Sequence, residues 1–137
     1  SHLKPAAESI TRALADSDWM VREIAAETLG TNVNGNLAAD ALISILTDEF
    51  WQVRLKAVRS LGKMKVARAV PPIGACIMHP QANLRKEGAA ALGEIADPAG
   101  APFLEPVLDD ADPEVRKNAR WAMQQIAAKK AAAGRSS

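Results

Sequence analysis

The chain has 137 residues, of which 48% are hydrophobic, and a formal net charge of +1. That length fits one domain with a continuous core, and the near-neutral balance supplies no global field to draw in nucleic acid or membrane. No apolar run reaches the ~18 residues of a membrane span, no apolar signal-peptide core is present, and the single cysteine, Cys76, excludes an internal disulfide and makes the cytoplasm the default location.

Ser1 and His2 resemble the remnant of a cleaved tag, so residues 1–4 read as a leader. One phrase then recurs four times, from Asp16 to Arg22, Asp48 to Arg54, His79 to Arg85 and Asp110 to Arg116, with its arginines 32, 31 and 31 residues apart. A period of this size marks a stack of small units, none of which buries its apolar face alone. In each unit an apolar i, i+3, i+4 pattern precedes the phrase, one face of an α-helix. These A helices are predicted over 5–15, 37–47, 68–78 and 101–109. Their rungs are Ile10, Leu42, Ile73 and Leu104, then Ala13, Ile45, Cys76 and Val107, then Leu14, Leu46, Ile77 and Leu108.

The B helices follow, over 19–30, 51–63, 82–95 and 113–128, with Val21, Val53, Leu84 and Val115 and then Leu29, Leu61, Leu92 and Met123 facing the core. Small residues sit between them, including Ala25, Ala57, Gly88 and Ala119, and allow close helix approach. Gly30, Gly62 and Gly93 are expected as left-handed helix ends. Asp18 and Asp112 are placed to cap B helices, and Pro71, Pro102 and Pro113 fit first turns. Pro106 is expected to bend the last A helix. The repeats are therefore about 5–35, 36–66, 67–97 and 98–128, and residues 129–137 read as a fraying, disordered tail.

The phrase D-x-D-x-x-V-R followed by A-x-x-L-G, with a loop such as Asp97 to Pro102, resembles the HEAT-like repeat of the phycobilisome-lyase type. Asp112-Pro-Glu-Val-Arg116 is its clearest copy, and the resemblance covers about 5–128. It implies an all-α, right-handed α-solenoid of four helix pairs, eight helices in all. The family includes bilin lyases, metal-dependent hydroxylases and plain binding scaffolds, so it does not by itself carry function.

The chemistry of each branch has to be sought in the residues. The HEAT-like deoxyhypusine hydroxylases hold iron through His-Glu pairs, but the matching stretch here reads Arg85-Lys86-Glu87, and His79 is the one histidine beyond His2. That ligand set is too poor for a metal site, so no metal and no cofactor is expected. Cys76 stands on a core rung beside Ala13, Ile45 and Val107, which suits a small buried hydrophobe better than a nucleophile. No glycine-rich phosphate loop is present, and no catalytic residue is assigned.

The recurring Arg22, Arg54, Arg85 and Arg116 are expected to tie repeat to repeat through Asp16, Asp48 and Asp110. Charge is segregated elsewhere: Phe50 to Lys86 holds eight basic and no acidic residues, and Glu87 to Val115 eight acidic and no basic ones. The basic set around the second B helix (Arg54, Lys56, Arg59, Lys63, Lys65, Arg68) offers a nucleic-acid reading, against which the acidic block and the net charge both argue.

In such a solenoid the B helices line the concave side. The groove face is predicted to present Trp19 and Glu23, then Trp51, Leu55, Val58 and Arg59, then Lys86, and finally Lys117, Arg120 and Trp121. Trp51, Leu55 and Val58 would be apolar residues surplus to the core, an anchor strip with cations around it. Recognition of a protein or peptide on this face is the function the pattern suggests, with self-association another means of covering the strip. Handling of an open-chain tetrapyrrole, by resemblance to the lyases, is the first alternative, and nucleic-acid binding the second.

Overall fold

The computed structural model describes residues 9–32 and 36–136, and every regular element in them is helical. In chain order these are α1 (9–13), α2 (Trp19–Asn32), α3 (Asn36–Ser44), α4 (Trp51–Met64), α5 (Val70–Cys76), α6 (Ala82–Ile95), α7 (Ala101–Leu104) and α8 (Pro113–Ser136). Odd numbers are A helices and even numbers B helices, an all-α solenoid. The expected leader 1–4 and the first residues of the helix expected over 5–15 lie outside the described residues.

Local chemistry sets the helix ends. Asp18 Oδ1 accepts the Met20 N–H at 3.0 Å and Asp112 Oδ1 the Glu114 N–H at 2.8 Å, so both cap B helices as expected. The A helices are short and tighten into 3₁₀ turns, Ile45–Thr47 after α3, Ala67–Ala69 before α5, and Pro98–Gly100 and Glu105–Asp109 around α7. Pro106 lies in the last of these. It has no N–H to complete an α-helical bond, so α7 stops at Leu104 and the backbone narrows. At the other extreme α8 runs to Ser136, so the tail expected to fray from 129 is helical, as its alanines and lysines favour.

The core follows the two predicted ladders. Leu42, Ile73, Ile77 and Leu104 of the A helices and Leu29, Val53, Leu61, Leu84, Leu92 and Val115 of the B helices are fully buried. Val21 is the exception on its rung, exposed where no described repeat packs against it.

The glycines do something other than expected. Gly30, Gly62 and Gly93 lie within α2, α4 and α6, and the left-handed residues that end α4 and α6 are Lys65 and Ala96, at φ 56° and 57°. A Cβ on Gly30 would come within 2.8 Å of Ser60 Cα, on Gly62 within 2.9 Å of Ala91 Cα, and on Gly93 within 2.9 Å of Ala122 Cα. α2, α4 and α6 thus each set a glycine against a small residue of the next B helix, and at the first of these junctions Ser60 Oγ donates to the Ala26 carbonyl at 2.7 Å. The A helices pack mainly on their own repeats and touch one another far less.

Candidate functional site

The repeated phrase builds one turn four times over. Its first residue accepts the backbone N–H two positions on: Asp16 from Asp18 at 2.8 Å, Asp48 from Phe50 at 2.9 Å, and Asp110 from Asp112 at 2.9 Å. The arginine six positions later donates back to the carbonyl of that first residue, Arg22 to Asp16, Arg54 to Asp48 and Arg116 to Asp110. It also reaches forward. Arg22 grips the Asp48 carboxylate at 2.6 and 3.1 Å, and Arg85 grips Asp110 at 2.9 Å through both nitrogens. The expected Arg–Asp ladder between repeats is therefore present at the first and third junctions. The Asp16 carboxylate makes no such bond, since no described repeat precedes it, and among the described residues no following turn lies within reach of Arg116.

Electrostatics agree with the geometry. Burial pushes the Asp48 carboxyl up, but the hydrogen bond from Arg22 and the Phe50 amide outweigh it, and the group sits below the usual carboxylate range. At Asp110 the Arg85 hydrogen bond dominates over burial, with the same net direction.

The second junction breaks the pattern. His79 stands where the others have aspartate, and its Nδ1 accepts the Gln81 N–H at 3.0 Å, doing the turn's part of the work. It offers Arg54 no carboxylate. Burial, with Arg54 and Arg85 nearby, holds the imidazole below its ordinary value and neutral. His79→Asp should complete the ladder, stabilising the protein by about 1 kcal/mol and raising the melting temperature by roughly 3 to 5 °C. A lowered histidine pKa gives stability that is full above the unfolded value near 6.5 and is lost as pH falls through the folded value. Melting curves from pH 7.5 down to 5 should therefore show an acid-side loss in the wild type that the variant lacks.

The predicted groove strip is only partly a surface. Val58 is 0% exposed, because the B helices use a second face against each other and residue 58 falls on it. Trp51 and Leu55 are half-buried and packed against the core. Trp19 does not pair with Trp51. It stacks on Phe50 at 5.4 Å between centroids, with the Arg22 guanidinium 5.8 Å from the same ring, and so bridges repeats 1 and 2. Glu23 and Lys86 are half-buried, while Lys117, Arg120 and Trp121 are exposed. Trp121 is 40% exposed and lies over Gly93 at the last junction.

The basic block is largely answered by acidic neighbours. Arg59 pairs with Glu87 at 2.7 Å, Arg68 with Asp40 at 2.7 Å and Lys56 with Glu27 at 3.4 Å, while Lys65 donates to the Glu94 carbonyl at 3.2 Å. The segregated charges thus serve attraction between repeats. Cys76 is buried, and burial pushes its thiol up although Arg54 pulls the other way. Among the described residues no three His, Cys, Asp or Glu side chains gather as metal ligands, and no helix is long and apolar enough to cross a membrane.

One surface was not anticipated. On the outer face of α2, Ile24 is 63% and Met20 52% exposed, beside Val21. With Ile10 and Ala13 of α1 and with Ala25, Val21 and Ile24 border an open apolar recess of about 280 Å³. Residues equivalent to Ile24 are Lys56, Glu87 and Asn118, which bond to Glu27, Arg59 and the Lys86 carbonyl of the preceding repeat. The signal was present in the alignment of the repeats: an isoleucine stands where the other copies are polar.

Comparison with known proteins fits this architecture. A family model described as HEAT repeats matches residues 39–124, and a single-repeat HEAT model matches 8–31. The alpha subunit of phycocyanobilin lyase from Nostoc sp. strain PCC 7120 is 36% identical over 104 residues, 70% of this chain and 38% of that protein. Human deoxyhypusine hydroxylase, in a complex with glycerol, superposes with a TM-score of 0.75 at 29% identity, over 88% of this chain and 43% of the hydroxylase. The complex of CpcE and CpcF of phycocyanin lyase from Nostoc sp. PCC7120 gives a TM-score of 0.66 at 25% identity, over 88% of this chain and 64% of the matched one. The chain thus spans well under half the length of the curated relative.

Proposed function

The chain belongs to the HEAT-repeat family, and from that premise we propose that it is a non-catalytic scaffold that binds a helical protein partner. The apolar end of repeat 1 carries this reading. It is the face through which α4, α6 and α8 each seat on the helix before them, yet on α2 it is more apolar than on any of those. No described repeat covers this face of α2, and an exposed apolar helix face of this kind marks an interaction surface. A helix pair offering small residues opposite α2 would continue the stack. The groove, with Lys86, Lys117, Arg120 and Trp121, is a second surface open to the same partner. The cytoplasm, on the evidence of the lone cysteine, is the location we attach to this function.

Photo-crosslinking from benzoylphenylalanine at position 24, in cells of the source organism, tests this proposal against the same group at position 120. The expected adduct is one partner from position 24, joined through a helical segment. Ile24→Glu should weaken its binding by at least about tenfold and leave the melting temperature unchanged. Adducts from position 120 alone would move the site to the groove.

Handling of an open-chain tetrapyrrole is a second reading, favoured by the 36% identity to a phycocyanobilin lyase subunit. It predicts a shifted and sharpened visible absorbance when the protein is mixed with phycocyanobilin, and an unchanged spectrum removes it.

A further inference from the structure

We propose that the junction between repeats 2 and 3 is a binding site for a small monocarboxylate with an apolar stem, held by Arg54. Two observations meet there. The first is the arginine itself. At the flanking junctions the equivalent Arg22 and Arg85 each hold a carboxylate through two nitrogens. Arg54 donates from Nε to the Asp48 carbonyl, and among the described residues neither of its terminal nitrogens has a hydrogen-bond partner. The carboxylate that the fold supplies elsewhere is replaced by His79, whose Nδ1 is already committed to Gln81.

The second observation is the space beside it. A recess of about 200 Å³ opens on Arg54, walled by Ile43, Leu46 and Thr47 of repeat 2 and by Pro72, Ala75 and Cys76 of repeat 3. No acidic side chain lines it, and the nearby Asp48 carboxylate is engaged by Arg22. A planar guanidinium matches a carboxylate through two parallel bonds, and the apolar walls suit a short hydrocarbon stem. Arg116 is the internal control: among the described residues it too has no forward carboxylate, but no following A helix walls a recess beside it. This site does not depend on the partner-binding surface of repeat 1.

Titration of the ¹⁵N-labelled chain with butyrate, butyramide and inorganic phosphate at constant ionic strength tests it. Butyrate should give saturable amide shifts at Leu46, Thr47, Ala75 and Cys76 and at Arg54 Nε, and butyramide none. His79→Asp, which restores an internal carboxylate, should weaken butyrate binding by at least about tenfold while folding normally. Arg54→Gln should do the same. Equal butyrate affinity in the wild type and His79→Asp would overturn the site. So would an equal response to phosphate, or shifts centred on Arg116, since either would mean general anion attraction.

Discussion

Gly62→Val should lower the melting temperature by more than about 10 °C, the largest effect of any single change proposed for this chain. The reason is distance. A Cβ at this position would lie 2.9 Å from both Cα and Cβ of Ala91, and a backbone atom cannot step aside as a flexible side-chain tip can. Valine must push α4 and α6 apart, at a cost of about 3 kcal/mol or more. Gly62→Ala is the sharper test because it separates two causes by sign. In an exposed helix interior, glycine to alanine gains about 1 kcal/mol from propensity. At Gly62 the same change should destabilise, whereas Gly134→Ala, where a Cβ meets nothing within 4 Å, should not. Thermal unfolding by circular dichroism reads all three. A stabilised Gly62→Ala would show that the B helices do not meet at this glycine.

Asp110→Ala should have the next largest effect, a loss of about 2 to 3 kcal/mol. The carboxylate closes its own turn by accepting the Asp112 N–H and neutralises Arg85 of the preceding repeat, and both side chains are mostly buried, at 18% and 9% exposed. Removal leaves the mostly buried Arg85 guanidinium with only its bonds to the His79 and Pro80 carbonyls, and a turn amide without its acceptor. Asp110→Asn keeps the turn but not the charge, so it should fall between. The pH dependence follows the same logic. The folded carboxyls of Asp48 and Asp110 are depressed, so their stabilisation is full above the ordinary carboxylate value near 3.9 and is lost as pH falls through the folded values. The wild type should lose stability below about pH 4, and Asp110→Ala should lose less over that interval. Parallel acid titrations of the two proteins would contradict this.

The repeat phase was readable from sequence because the arginines recur at nearly constant spacing, and each copy votes for the same alignment. The Arg–Asp ladder was readable for the same reason, since Arg22 with Asp48 and Arg85 with Asp110 occupy identical places in their units. What failed was the geometry between units. Gly30, Gly62 and Gly93 lie near helix ends, where glycine commonly serves a turn, and spacing along one chain says nothing of how near the next helix comes. The groove strip failed likewise. With Val53, Ala57 and Leu61 assigned to the core, Val58 looked surplus, yet a B helix in a stack has two buried faces, one for its own A helix and one for its neighbour. The apolar end at Ile24 was hidden because repeats were compared for their similarities. There the difference between copies held the signal.

The three junctions are not fastened alike. The first and third carry a bidentate Arg–Asp clasp on the turn side. The second carries none there, and it is held elsewhere by Arg59 on Glu87, by Arg68 on Asp40 and Asn36, and by Lys65 on the Glu94 carbonyl. An edge without its clasp parts more readily than one that has it, so the turn side of the middle junction should open first when the stack is bent. A guest in the recess beside Arg54 would enter along that unfastened edge, acting on the stack as a wedge.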